Sequence, residues 1–253
     1  MTLRVGIAGI SGRMGVLLAR AAKQDAILAG GTSRSGTAPE GAVLFPDIGA
    51  LGKASDVVVD FTHADAVAGH AEALMQGRTA WVLGTTGYDE AAGAAIARAA
   101  AHVPVVVAAN FSTGVNLMLI LAEMLGGALP AARFDAEIVE MHHRQKLDAP
   151  SGTALALGRA VAAGRKVALG DVMTGANGAP IGARRDGEIG FASLRGGQVV
   201  GHHDVMFTAA DEQIVLSHHA FDRMVFANGA LRAALWLAGR PPGLYGMRDI
   251  LGL

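Results

Sequence analysis

Short apolar runs alternate with stretches of helical composition through the first half of the chain. Leu3–Ala8, Ile27–Thr32, Asp56–Thr62, Ala80–Leu83 and Val103–Ala108 each read as a buried strand, and Val16–Lys23, Ala64–Gly77 and Asp89–Ala101 as helices between them. Repeated strand–helix alternation predicts a parallel, doubly wound α/β sheet with helices on both faces. After a connecting helix over Val115–Leu125 the pattern changes. Phe134–Met141 reads as a strand and Ala154–Val161 as a helix, followed by strands Gly187–Arg195, Gln198–Phe207 and Gln213–His219, with Ala209–Glu212 as a hairpin loop. This predicts a second α+β domain with a mostly antiparallel sheet, whose open face and edges suit burial against other subunits. A helix over Met224–Ala238 and a tail, Gly243–Leu253, close the chain against the first domain.

The first strand runs into Gly9-Ile10-Ser11-Gly12-Arg13-Met14-Gly15 and then a helix. Glycines at a first strand–helix turn permit a tight bend and close approach of a pyrophosphate to the helix N-terminus, the arrangement of a Rossmann-like fold. The spacing here is G-x-x-G-x-x-G. About 20 residues further on, where such folds read the adenosine ribose, the chain has Ser33-Arg34-Ser35 and no carboxylate. Arg34 suits a 2′-phosphate, so NADPH should be used well. Phe61-Thr62, Gly84-Thr85-Thr86 and Asn110-Phe111 fall at the carboxyl ends of later strands, where ligands sit in such sheets.

The densest chemistry lies in Glu140-Met-His142-His143-Arg144-Gln-Lys146-Leu-Asp148-Ala-Pro150-Ser151-Gly152-Thr153. Pro150 keeps Ala149 out of the helical region and Ser151 or Asp148 can cap the next helix, whose first amides, around Gly152 and Thr153, lack internal partners. Free amides at a helix start bind anions. With Arg144 and Lys146 beside them, the loop has the makings of a carboxylate or phosphate receptor, each charge-assisted bond contributing roughly 1.5–3 kcal/mol. His142 and His143 add groups suited to proton transfer near neutrality. His202-His203 and His218-His219 lie on strands, where neighbours point to opposite faces. Neither pair forms a natural bidentate ligand set, so no metal site is expected and they read as sheet-surface or interface histidines.

Composition narrows the field. The 253 residues carry a net charge of -1, are 51% hydrophobic and only 17% charged. That balance excludes a generally basic nucleic-acid binder and a highly charged disordered chain. Without cysteine there is no disulfide and no thiolate metal site. The first residues lack a signal-peptide layout and no apolar stretch approaches the roughly 20 residues of a membrane span, so a soluble, cytoplasmic protein is expected.

Taken together, Gly9–Gly15, Asp60-Phe-Thr62, Gly84-Thr-Thr-Gly87, Ala109-Asn-Phe-Ser112, the Glu140–Thr153 stretch and Phe226-Ala-Asn-Gly-Ala230 resemble the dihydrodipicolinate (4-hydroxy-tetrahydrodipicolinate) reductase family of lysine and diaminopimelate biosynthesis, essentially end to end. The resemblance implies a dinucleotide-binding domain over 1–113 and 222–253, a substrate-binding and tetramerisation domain over 114–221, and a homotetramer. It implies cofactor contacts at Gly9, Ile10, Ser11, Gly12, Arg13, Met14, the Ser33-Arg34 position, Gly84, Thr85, Thr86, Ala108, Ala109, Asn110 and Phe111. It also implies a catalytic His142, a proton-donating Lys146, and substrate carboxylates held by His143, Gly152 and Thr153. Where some members carry an acidic residue for NADH, this chain has Ser33, which leaves NADPH and NADH both open. Where some read H-H-R-H-K, it has Gln145. The implied reaction is NAD(P)H-dependent reduction of 4-hydroxy-tetrahydrodipicolinate to tetrahydrodipicolinate with loss of water. The alternatives are a reductase of another small dicarboxylic acid and an NADPH-binding redox sensor without turnover.

Overall fold

A computed structural model describes residues 2–175 and 183–253. Met1 and residues 176–182, which fall inside the two expected domain ranges, lie outside the described residues. The chain divides into two compact units, Met1–Thr113 with Met224–Leu253, and Gly114–Arg223.

The first unit contains, in chain order, β1 (Arg4–Ala8), α1 (Arg13–Asp25), β2 (Ile27–Gly31), α2 (Ile48–Ala54), β3 (Val57–Asp60), a 3₁₀ turn (Ala64–Ala66), α3 (Val67–Gly77), β4 (Ala80–Leu83), α4 (Glu90–Ala100) and β5 (Pro104–Val107). The second unit contributes α5 (Thr113–Ala128, which begins at the boundary), β6 (Asp135–His142), α6 (Gly152–Gly164), α7 (Leu169–Val172), β7 (Met173–Thr174), β8 (Ile189–Arg195), β9 (Gly201–Thr208) and β10 (Gln213–Ala220). The chain then returns to the first unit with α8 (Met224–Leu237), β11 (Gly243–Tyr245) and α9 (Met247–Leu251).

The first sheet runs β11-β5-β4-β3-β1-β2, and every pairing is parallel. Its strands are apolar on both faces because both are covered. Val57 and Val59 join a core with α1, α8 and α9, including Leu18, Ala230 and Ile250, while Val58 turns to the other side against Leu51, Leu74 and Ile96 of α2, α3 and α4. The chain leaves β1 toward β2 on one side and resumes with β3 on the other. The strand order therefore reverses at β1, and a crevice opens beyond the carboxyl ends of β1 and β3.

Three elements here escape the sequence reading: α2, β11 and the short α9. Helix α2 carries two glycines in seven residues and is started by Asp47, whose carboxylate accepts from the Ala50 amide at 2.7 Å. The tail residues Gly243–Tyr245 add a sixth parallel strand beside β5, a pairing no local pattern announces.

In the second unit, burial alternates along β6 and β9. Ala136, Ile138, Val205 and Phe207 face Met118 and Ala122 of α5 and Leu157 and Val161 of α6. The expected antiparallel pairing holds for β6·β9 and β9·β10, whereas β6·β8 and β8·β7 are parallel, so the sheet is mixed. The reason lies in the connections: β9 and β10 are joined by a tight hairpin, while α6 intervenes between β6 and β8 and brings the chain back in the same direction.

Candidate active site

The crevice of the first unit is built from loop glycines. Gly9 has φ +73°, and a side chain on Gly15 would place its Cβ 2.2 Å from the Gly9 carbonyl oxygen and 2.7 Å from the Ile10 carbonyl carbon. Only glycine lets the loop lie this close to the start of α1. The Gly12 amide donates to that same Gly9 oxygen at 2.9 Å. The resulting cleft, about 770 Å³, is lined by Gly9, Ser11, Gly12, Ser33, Arg34, Thr62 and His63 among others. Its rim is a chain of hydroxyls: Ser11 and Ser33 lie 2.8 Å apart, Ser33 and Ser35 3.0 Å, and Ser35 and Thr37 2.7 Å. Arg34 donates to Nε2 of His63 at 2.8 Å, which holds the guanidinium at this rim. The buried Asp60 carboxylate accepts from His70 Nδ1 at 2.7 Å and from the Thr62 amide and hydroxyl at 3.0 and 2.6 Å, fixing the end of β3.

The remaining residues expected at the cofactor divide by environment. Arg13 and Thr86 are exposed, and Gly84 lies under the Phe61 ring. The Thr85 hydroxyl is buried and has no hydrogen-bond partner among the described residues. Ala108 is half-buried and Ala109 exposed, while Asn110 accepts from the Ser112 amide at 2.8 Å. Ile10, Met14 and Phe111 direct their side chains into the first core, and the Ile10 amide is spent on the Thr32 carbonyl at 2.9 Å. For Ile10 and Phe111, both fully buried, any ligand contact would be made by other backbone atoms.

The second site forms at the end of β6. Strand alternation puts Glu140 and His142 on the same, covered face. Nδ1 of His142 lies 2.5 Å from Oε2 of Glu140. Arg195 on β8, in register with His142, grips the same carboxylate with both nitrogens, at 2.9 and 2.7 Å, and donates to the Asp148 carbonyl at 2.7 Å. Burial alone would push the Glu140 carboxyl up, but the hydrogen bonds from His142, Arg195 and Ser193 outweigh it and bring the group to about 2. His203 on β9 meets the His142 ring edge-on at 5.1 Å. Burial, reinforced by the neighbouring His142, pushes His203 down to about 3, so its ring is neutral.

Ser151 joins this group to the helix start. Its Oγ caps α6 by accepting from the Ala154 amide at 3.2 Å and lies 3.1 Å from Nε2 of His203. Of the two candidate caps, Ser151 is therefore the one used, and Asp148 instead holds Lys146, with both carboxylate oxygens 2.8 Å from Nζ. That ammonium draws the Asp148 carboxyl below its ordinary range. Arg144 is exposed, with its amide on the Gly197 carbonyl at 3.3 Å, and Nδ1 of His143 is buried with no partner among the described residues. Gly152 and Thr153 open α6, exposed and half-buried respectively.

Three participants escape the sequence reading: Glu140 as the partner of His142, Arg195, and His203. The Glu140–His142 spacing of two on a strand was a usable signal. Arg195 and His203 reach the site only through sheet register, and His203, expected at a surface or interface, is 4% exposed.

A parallel sheet with a glycine-built cleft at its switch point, in a chain whose second unit carries a fixed histidine and a basic loop, defines a Rossmann-like, nicotinamide-dinucleotide-dependent oxidoreductase. The family models "Dihydrodipicolinate reductase, N-terminus" and "Dihydrodipicolinate reductase, C-terminus" match residues 3–111 and 114–251. The chain thus belongs to the dihydrodipicolinate reductase family. It is 60% identical over 252 residues to the 4-hydroxy-tetrahydrodipicolinate reductase of Acidiphilium cryptum, covering 99% of this chain and 98% of that one. With the enzyme of the same name from Granulibacter bethesdensis the identity is 55% over 255 residues, covering 100% and 98%. Among solved structures, the dipicolinate-bound dihydrodipicolinate reductase from Paenisporosarcina sp. TG-14 matches with a TM-score of 0.80 at 26% identity, covering 97% of this chain and 98% of that one. No helix among the described residues is long and apolar enough to cross a membrane.

Proposed function

We propose that this chain reduces 4-hydroxy-tetrahydrodipicolinate to tetrahydrodipicolinate, with loss of water, in the cytoplasmic synthesis of lysine and diaminopimelate. The observation that carries the reading is His142, held through Nδ1 by a carboxylate that Arg195 clamps in turn. This leaves Nε2 as the nitrogen for proton exchange, beside a basic loop and a helix start suited to a dicarboxylate.

The first unit fits a dinucleotide: the Gly9–Gly15 contact leaves a cradle that a side chain would fill, and the buried Thr85 hydroxyl lacks a partner. Gly9, Ser11, Gly12 and Arg13 would hold the pyrophosphate, Ser33 and Arg34 the adenosine ribose, and the loops at Gly84–Thr86 and Ala108–Phe111 the rest. NAD(P)H, when bound, supplies the hydride. Arg34 and the hydroxyl rim support use of NADPH, with NADH as a second cofactor.

In the second unit, His143, Arg144, Gly152 and Thr153 orient the substrate carboxylates. The relative from Paenisporosarcina sp. TG-14 is a dipicolinate-bound enzyme, and we extend that ligand class to this chain. Lys146 and His142 deliver the proton that the reduced ring requires. Asp148 holds the Lys146 ammonium in place until the substrate arrives. The open face of the second sheet, where Leu194 is 52% and Val215 46% exposed, is the surface through which four copies would assemble.

The test is loss of NADPH absorbance, with NADH in parallel, using substrate formed in situ from pyruvate and aspartate semialdehyde by the preceding synthase. Substrate-dependent oxidation supports the reading. Cofactor binding without oxidation would make the protein a sensor, and oxidation only with other dicarboxylates would reassign the substrate.

A further inference from the structure

The open face of the second sheet carries a cluster that the reaction does not use. The β9–β10 register sets His202 opposite His219 and Asp204 opposite Ser217. Residues two apart on a strand share a face, so one rung of histidines stacks directly on one rung of Asp and Ser. The imidazole centroids are 3.7 Å apart. Nε2 of His202 lies 3.0 Å from Asp204 Oδ1, and Nε2 of His219 lies 3.2 Å from the Ser217 hydroxyl, which donates to that same Oδ1. Two imidazole nitrogens and one carboxylate thus converge, with one donor atom from each residue within 4.8 Å of the others.

We propose that His202, Asp204 and His219 form a binding site for one divalent metal ion of the zinc class. Two neutral imidazoles and a carboxylate are a donor set that zinc accepts, with solvent completing a tetrahedron. Bonds of 2.0–2.1 Å in that geometry space the donors about 3.3 Å apart, so small side-chain rotations close the present arrangement onto an ion. Ser217 holds the carboxylate in place, as partners of metal ligands do.

The surroundings favour a cation. In register, Asp204 is flanked by Val139 and Ser217, and His202 by Met141 and His219. The only ion-pair partner the described residues give Asp204 is His202. A second group of possible ligands, Glu140, His142 and His203, differs on this point, because Arg195 already occupies both oxygens of its carboxylate. The guanidinium stands where a metal's charge would be needed. In the single chain the His202 and Asp204 side chains of this open-face cluster are 29% and 22% exposed, so an ion can reach them before assembly covers the face. All three ligands come from one chain, so the donor set is complete without a partner and does not rest on the proposed reaction, and it lies on the face proposed above for assembly.

Equilibrium dialysis of the whole, chelator-stripped protein against Zn²⁺ tests the proposal. One ion per chain is expected, with that equivalent lost in a His202→Ala/His219→Ala double variant of unchanged circular dichroism. Asp204→Asn, which keeps the shape but removes the anionic ligand, should weaken binding at least as much as losing an outer-shell partner does, about tenfold or more. Electron paramagnetic resonance of the wild-type protein loaded with Cu²⁺ should show coupling to two imidazole nitrogens, a readout that needs no variant. The proposal fails if the wild-type chain takes up no Zn²⁺, if the variants keep the full equivalent, or if the Cu²⁺ spectrum lacks an imidazole pair.

Discussion

Nδ1 of His142 sits 2.5 Å from Oε2 of Glu140, and the same carboxylate is gripped by both guanidinium nitrogens of Arg195. A buried carboxylate shared in this way fixes the tautomer and the plane of the imidazole. Replacing His142 by Ala should lower kcat by about a hundredfold or more, the usual weight of a positioned acid–base group. Glu140→Gln should lower kcat less than this and displace the pH–rate profile, because the ring loses its anionic partner. A Glu140→Gln enzyme with unchanged kcat and pH profile would deny the pair a role in turnover.

Arg195 also binds the Asp148 carbonyl and so ties the basic loop to β6. Arg195→Met removes the guanidinium from a buried carboxylate that keeps its His142 partner, so the loss of stability should lie below the ~3–5 kcal/mol of a fully broken buried pair. The urea midpoint should drop accordingly, and the Glu140 carboxyl should titrate higher.

Lys146 is held by both oxygens of Asp148. Lys146→Ala should cut kcat by about a hundredfold or more if the ammonium delivers the proton. Asp148→Asn should keep most of the turnover while loosening the ammonium, and steady-state kinetics on the two variants separates delivery from restraint. Near-full turnover in Lys146→Ala would remove the residue from the mechanism.

Acid should destabilise the second unit in two overlapping windows. His203 titrates at about 3 in the fold against an ordinary 6.5, so unfolding takes up a proton and stability falls as the pH drops between those values. Glu140 titrates at about 2 against 4.5, so the stability it contributes above 4.5 is lost as the pH falls toward 2. Each group has a limiting slope of about 1.4 kcal/mol per pH unit, and the decline should be steepest between 4.5 and 3, where both act. Urea unfolding as a function of pH reads the slope, and His203→Gln should flatten it above pH 4.5.

Arg34 stands at the hydroxyl rim of the first cleft with Ser33 and Ser35. If it meets a 2′-phosphate, Arg34→Ala forfeits a charge-assisted bond of roughly 1.5–3 kcal/mol, which is a rise in KM for NADPH of about tenfold to a hundredfold with KM for NADH little changed. An equal effect on both cofactors would place the phosphate elsewhere.

The first unit was legible because its signals are local. Val57-Val58-Val59 is apolar on both faces, as a doubly covered strand must be, and Gly9, Gly12 and Gly15 mark the first turn. Helix α2 was not, since Gly49 and Gly52 dilute its helical composition and its start depends on one cap at Asp47. In the second unit the Glu140–Thr153 stretch holds most of the candidate site residues, including the Glu140–His142 pair, but Arg195, which clamps Glu140, and His203, which packs on His142, come from β8 and β9 through register. The same limit hid the histidine rung: His202 and His203 diverge along their strand, and His202 meets His219 only across the ladder.

The most direct test of the central claim follows the transferred hydrogen itself. NADPH carrying deuterium at the reactive position of the nicotinamide is incubated with the chain and freshly formed 4-hydroxy-tetrahydrodipicolinate, and the product is read by mass spectrometry. The account predicts tetrahydrodipicolinate carrying the label, formed at a rate that collapses in His142→Ala. Unlabelled product, or no product from a preparation that binds NADPH, would contradict it.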